Sequence, residues 1–230
     1  MFVYFLIADG LQTIFLDMNN VKEINFKKSP AKNLLIFDFD QTLYDFKEPL
    51  GEIHNENKTN FLKKHLKDEY SKELLDRYKE KYGIILLGLK EKGIPVHEIL
   101  NSVIFKTFSN FSLPPDVELA EILRKIPGDK WIFTNNQPAI VERLLEELGI
   151  KNEFEFLFVP DFYLENTPCK PKRKSFDILN YIISNKRSYD SIYFLDDSEE
   201  NISMGEELHW ISILTDCSVL KEHLKKIFLQ

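Results

Sequence analysis

Only two cysteines, Cys169 and Cys217, occur in 230 residues. They form neither a disulfide framework nor zinc-ligand spacing, which fits a reducing compartment. Basic charge is not in excess either: 30 Lys and Arg against 37 Asp and Glu leave a formal charge of −7. Composition therefore gives no reason to expect a nucleic acid polymer or a membrane surface as partner. His54, His65, His97, His209 and His223 lack metal-ligand spacing, and no repeat or low-complexity tract is visible. No apolar run is long enough to span a bilayer. The opening "MFVYFLIADGLQTIFLDM" has no Lys or Arg before its apolar run and is broken at Asp9, so it reads as neither signal peptide nor anchor. What remains is a soluble globular composition, 43% hydrophobic and 29% charged. The expected location is cytoplasmic, with access to the nucleus left open. Oligomeric state is not legible.

Against these absences stands a regular pattern. "NLLIFD" (33–38), "KWIFTN" (130–135), "FEFLFV" (154–159), "SIYFLD" (191–196) and "HWISIL" (209–214) are short, near-continuous apolar runs. Such runs suit strands covered on both faces. Between and after them, residues 138–150, 172–185 and 217–229 space apolar residues at helical period, with Pro138 near one helix start and Gly149 near its end. Strand–helix alternation predicts an α/β fold, a Rossmann-like doubly wound parallel sheet. Residues 46–112 break the rhythm with helical patterns only, as expected of a cap inserted after the first strand, over the edge where such sheets bind ligands. The core then comprises 31–45 and 113–230. Residues 1–30 read as an extension outside it, with Asp9-Gly10 as the turn of a hairpin.

The strand ends carry the chemistry. "DFDQT" places Asp38 and Asp40 two positions apart, a repulsive arrangement with little structural purpose. "FTNN" supplies Thr134, Asn135 and Asn136; "TPCKPKRKS" presents Lys170; "LDDS" supplies Asp196 and Asp197. In a doubly wound sheet these ends converge. Carboxylates suit a hard cation, hydroxyl and N–H groups suit an anion, and a fixed ammonium completes the equipment for phosphoryl transfer. The rest of "KPKRKS" reads as a solvated helix start. Charge alone would lower the pKa of Cys169 beside Lys170, while a lone loop thiol reads as incidental.

These four motifs, in this order, resemble the haloacid dehalogenase superfamily of phosphatases over residues 33 to 215. The resemblance implies Asp38 as nucleophile and Asp40 as the acid and base for leaving group and water. It implies Thr134 and Asn135 as phosphate-binding groups, and Lys170 as a catalytic group that neutralises phosphate and nucleophile. Mg²⁺ would be held by Asp38, the carbonyl of Asp40, and Asp196, with Asp197 either holding a metal-bound water or orienting Lys170. Relatives that cleave carbon–halogen bonds lack the second aspartate, which is present here. "TLYD", Tyr82-Gly83 and Gly88-Leu89 further resemble the pyrimidine 5′-nucleotidase branch, although "IILL" between the glycines departs from its small residues. The expected substrate is thus a small phosphorylated metabolite, a pyrimidine nucleoside 5′-monophosphate first. A sugar phosphate or phosphoglycolate is the alternative within enzymes, and a non-catalytic binding protein on the same fold is the alternative outside them.

Overall fold

The computed structural model describes residues 10–24, 26, 29–186 and 188–229. Its strands are β1 (Gln12–Phe15), β2 (Asn33–Phe37), β3 (Asp129–Phe133), β4 (Phe156–Val159), β5 (Ser191–Asp196) and β6 (Ile211–Leu214). They form one sheet in the order β1-β4-β3-β2-β5-β6, every pair parallel. The helices are α1 (Met18–Glu23), α2 (Glu52–Leu66), α3 (Lys72–Tyr82), α4 (Val96–Ile99), α5 (Lys106–Phe108), α6 (Val117–Lys125), α7 (Pro138–Leu148), α8 (Arg173–Lys186), α9 (Glu199–Glu207) and α10 (Leu220–Phe228). No helix among the described residues is long and apolar enough to cross a membrane.

Parallel strands need crossovers, and the crossovers here cover both faces of the sheet. Leu35, Phe37, Ile132, Leu157 and Leu195 face a core built with α6, α7 and α10. Their neighbours Leu34, Ile36, Trp131, Phe133, Phe158 and Phe194 face a second core built with α1 and α8. Side chains alternate along each strand, so burial on both sides demands apolar residues at successive positions. That is the origin of the apolar runs over β2 to β5, while β6, expected to be covered on both faces, is the edge strand and leaves Ile211 and Leu214 exposed. Pro138 opens α7 and Gly149, at φ 74°, closes it, as their backbone preferences dictate.

One expectation is corrected. Of the residues read as an extension outside the domain, the described ones from Gln12 to Ile24 lie within it. β1 lies against β4, from Gln12 opposite Phe156 to Phe15 opposite Val159, and Ile14, Leu16, Val21, Ile24 and Phe26 are buried. The exposed edge of β4 offers unpaired backbone groups, and "QTIF" satisfies them. The other strand of the expected hairpin, and Asp9 of its turn, lie outside the described residues.

Between β2 and β3 the regular elements are all helical, joined by turns and loops, and no strand of the sheet intervenes. Phe61, Leu62, Leu66, Leu74, Tyr78, Leu86, Leu89, Ile99 and Val103 make a third apolar cluster there. Gly88 lets the chain pass close over one of its rings. A Cβ at this position would lie 2.1 Å from Cγ of Tyr78, whose ring is wholly buried. Gly88→Ala should therefore lower stability by about 1–3 kcal/mol, read as a shifted denaturant midpoint. An unshifted midpoint would mean that the Tyr78 ring moves aside at no cost.

Candidate active site

Strand order reverses beside β2: the chain runs from β2 through β3 to β4 on one side, then to β5 and β6 on the other. β3, β2 and β5 are neighbours, so Thr134, Asp38 and Asp196 leave the sheet at one edge. Open α/β sheets place ligands at such a reversal. Register makes the meeting specific, since Phe37 pairs with Leu195 and the Asp38 N–H donates to the Leu195 carbonyl at 2.8 Å. The two acids one position further on are therefore level.

Lys170 stands between them. Its ammonium lies 2.8 Å from Asp38 Oδ1 and 2.6 Å from Asp196 Oδ2, all three side chains being almost fully buried. The Phe133 and Phe194 rings flank the charge with centroids at 5.2 and 5.8 Å. Burial opposes charge on Lys170, but Asp196 and Asp38 outweigh it and hold its pKa above the ordinary lysine value. For Asp38, burial and the nearby acids Asp196 and Asp40 outweigh Lys170, and its pKa lies well above the usual carboxylate range.

The Lys170 loop is fixed by Asn135. The Asn135 side-chain amide donates to the Lys170 carbonyl at 2.8 Å, and its Oδ1 accepts from the Lys170 N–H at 2.9 Å. Its side chain thus binds the loop, leaving the backbone as its route to an anion. Next along, Asn136 turns the other way. Its amide donates to Asp40 Oδ1 and Oδ2 at 2.9 and 3.1 Å, and Tyr44 Oη donates to the same carboxylate. Burial nevertheless pushes Asp40 up to about 6, against these hydrogen bonds. Thr134 is buried, with its hydroxyl accepting from the Asn136 N–H at 3.1 Å.

Asp38, Asp196 and Asp197 can each offer an oxygen to one point, these atoms lying within 4.8 Å of one another. Asp197 is exposed and the other two are buried. Burial, then the Asp196 charge, raises the pKa of Asp197. Asn201, at the start of α9, donates to both Asp196 oxygens at 2.9 and 3.0 Å. Its own Oδ1 is buried without a donor. An all-oxygen acidic set beside an orphaned acceptor fits a hard, hydrated divalent cation.

Above this edge lies a cavity of about 340 Å³ between core and insertion, lined by Asp40, Asn135, Asn136 and Gln137 below and by Gly83 to Leu87 above. The insertion is tied down at several points. The Cys169 thiol donates to the Tyr82 carbonyl at 3.1 Å, Lys90 Nζ to the Phe162 carbonyl at 3.1 Å, and Lys172 Nζ to the Glu80 carbonyl. At Gly83, φ is 77°, and a Cβ would lie 3.2 Å from both Cys169 Sγ and the Lys170 carbonyl oxygen. The Cys169 thiol is not activated by its neighbour. Burial pushes it up to about 12. Arg173 pairs with Asp177 and Glu207 on the exposed helix start.

The motifs in the sequence assign Asp38, Asp40, Thr134, Asn135, Lys170, Asp196 and Asp197 to one place, and the structure gathers all seven at this edge. They give no role to Tyr44, Asn136 or Asn201. The one available signal was the presence of these three inside or just after the quoted motifs.

A family model of haloacid dehalogenase-like hydrolases matches residues 32–209. The chain belongs to this family. It is 28% identical over 224 residues to Phosphate metabolism protein 8 of Saccharomyces cerevisiae, covering 86% of this chain and 68% of the yeast protein. In fold it is similar to a haloacid dehalogenase-like hydrolase from Xanthomonas campestris, with TM-score 0.51 and 14% identity over 87% of this chain and 93% of that one.

Proposed function

We propose that this chain is a Mg²⁺-dependent phosphomonoester hydrolase working through an aspartyl phosphate, with pyrimidine nucleoside 5′-monophosphates as its substrates. The observation that carries this reading is the Asp38–Lys170–Asp196 arrangement at the strand reversal, with Asp40 braced beside it at the mouth of the cavity.

Asp38 attacks phosphorus, forming a bond from its carboxylate oxygen while the ester P–O bond breaks. Asp40 gives its proton to the departing oxygen. Water then attacks the phosphoryl group and returns a proton to Asp40, and the Asp38–phosphorus bond breaks. Tyr44 and Asn136 hold the Asp40 carboxyl in place for both transfers. Lys170 offsets the repulsion between Asp38 and an incoming phosphate, which resolves the purpose of two acids so close together. Thr134 and the Asn135 backbone bind phosphoryl oxygens. Asp38, the Asp40 carbonyl, Asp196 and Asp197 would hold Mg²⁺, which supplies charge neutralisation at the phosphoryl group when bound.

Two measurements test the reading together. Activity on phenyl phosphate should vanish in chelator and return with Mg²⁺, with Ca²⁺ a poor replacement because its shell is larger and looser. Across a substrate panel, UMP or CMP should exceed AMP, GMP and sugar phosphates in kcat/KM. Preference for sugar phosphates or phosphoglycolate would remove the nucleotidase assignment and keep the phosphatase. A folded, Mg²⁺-replete sample that hydrolysed no ester would leave the binding-protein reading.

A further inference from the structure

The cavity walls are unequal. Above Asp40 the insertion contributes aliphatic side chains, among them Ile84, Ile85, Leu87 and Ile104, and the rings of Phe46 and Phe108 also face the space. His54, Lys58 and Lys79 supply the polar groups of the insertion, and no Asp or Glu of the insertion joins them among the described residues. Lys79 is already paired with Glu200 at 2.9 Å. His54 and Lys58 are four residues apart on α2 and share one face.

His54 packs edge-on against Phe46, with ring centroids 5.7 Å apart, and its Nδ1 is buried without a hydrogen-bond partner. Burial, and then the Lys58 charge, pushes the imidazole down to about 4. It is neutral at working pH and offers one donor and one acceptor. Lys58 donates to Asn55 Oδ1 at 2.9 Å, and no carboxylate of the described residues pairs with it. Burial lowers its pKa.

These walls select a chemistry. A polyol would bring hydroxyls against aliphatic side chains and lose hydration without replacement. A flat ring stacks well on aromatic walls. An oxygen acceptor on that ring gives the Lys58 ammonium a charge-assisted partner, and a polar ring edge satisfies the orphaned His54 nitrogen.

We propose that His54 and Lys58 are the specificity-determining pair of this site, reading a flat, oxo-bearing ring on the leaving group. This inference rests on the phosphatase reading above. UMP and phenyl phosphate are the probes, because both present a flat ring while only the ring of UMP bears oxo groups. For the Mg²⁺-loaded enzyme, Lys58→Met should lower the ratio of kcat/KM for UMP to that for phenyl phosphate by about tenfold to a hundredfold. Most of the loss should fall on KM. Lys58→Arg should recover part of the ratio, and His54→Phe, which keeps a ring against Phe46, should lower it several-fold.

Ratios within twofold of wild type in variants that melt like wild type would overturn the pair while leaving the phosphatase reading intact. If Lys58→Met does not fold, His54→Phe and Lys58→Arg decide by the same ratio. A wild-type enzyme preferring ribose 5-phosphate to UMP would also overturn the pair. A wild-type sample hydrolysing neither probe would bring down both readings, and that result is distinct from an unchanged ratio.

Discussion

Replacing Asp38 by asparagine should reduce turnover by on the order of 10⁴-fold or more, the scale expected when a nucleophile is removed. The substitution keeps the shape of the side chain and removes its attacking charge. Its fold consequence should be small. Asp38 shares Lys170 with Asp196, and the ammonium keeps its 2.6 Å contact when the 2.8 Å one is weakened. One negative charge also leaves a cluster in which Asp196 and Asp40 both raise the Asp38 pKa, so mutual repulsion falls. The Asp38→Asn enzyme should therefore melt at or above the wild-type temperature while hydrolysing almost nothing. Turnover near wild type in the purified variant would remove Asp38 from the chemistry. Loss of turnover together with loss of the folded signal would mean that the acid holds the sheet edge together.

The contrast between what the chain announces and what it conceals follows from range. Strands β2 to β4 and the second half of β5 are legible because burial on both faces forces apolar residues at successive positions, a local constraint, whereas β6 at the sheet edge leaves Ile211 and Leu214 exposed. Asp38, Asp40 and Asp196 are legible because charged groups at the ends of apolar runs have few structural uses, and Lys170 is legible only through its place in the order of motifs. Asn135 and Asn136 are adjacent and chemically identical, and nothing local distinguishes them. Only the fold turns one toward the Lys170 backbone and the other toward Asp40. The Cys169 thiol shows the same limit from the other side. Sequence places it beside an ammonium, while the fold buries it and pushes its pKa up to about 12. His54 is ordinary by spacing, since its meaning lies in a cavity built from segments on both sides of β3.

Deleting residues 1–30 should be the most damaging change to the folded state. Catalytic motifs begin at Asp38, so the sequence alone suggests that such a chain would keep its activity. The structure reverses, for the described residues among them, the expectation that they lie outside the core. β1 pairs with β4 along Gln12 to Phe15, and a parallel pairing to a strand so distant in sequence leaves no mark in a four-residue segment. Ile14, Leu16, Val21, Ile24 and Phe26 are all buried in the core on the α8 side of the sheet. Burying such side chains contributes roughly 1.5–3 kcal/mol each. Their combined loss is of the same order as the whole stability of a typical domain, about 5–15 kcal/mol. Deletion would also bare the edge of β4, whose unpaired N–H and C=O groups invite another chain, and uncover Phe156 and Phe158 of that same core. The truncated protein should accumulate as aggregate, or melt far below wild type where a soluble fraction survives. Activity per folded molecule in that fraction should remain, because no hydrogen bond or ion pair joins the described residues among those deleted to Asp38, Asp40, Lys170, Asp196 or Asp197. A monodisperse truncated chain with the wild-type melting temperature would show that β1 and α1 add nothing to the core they cover.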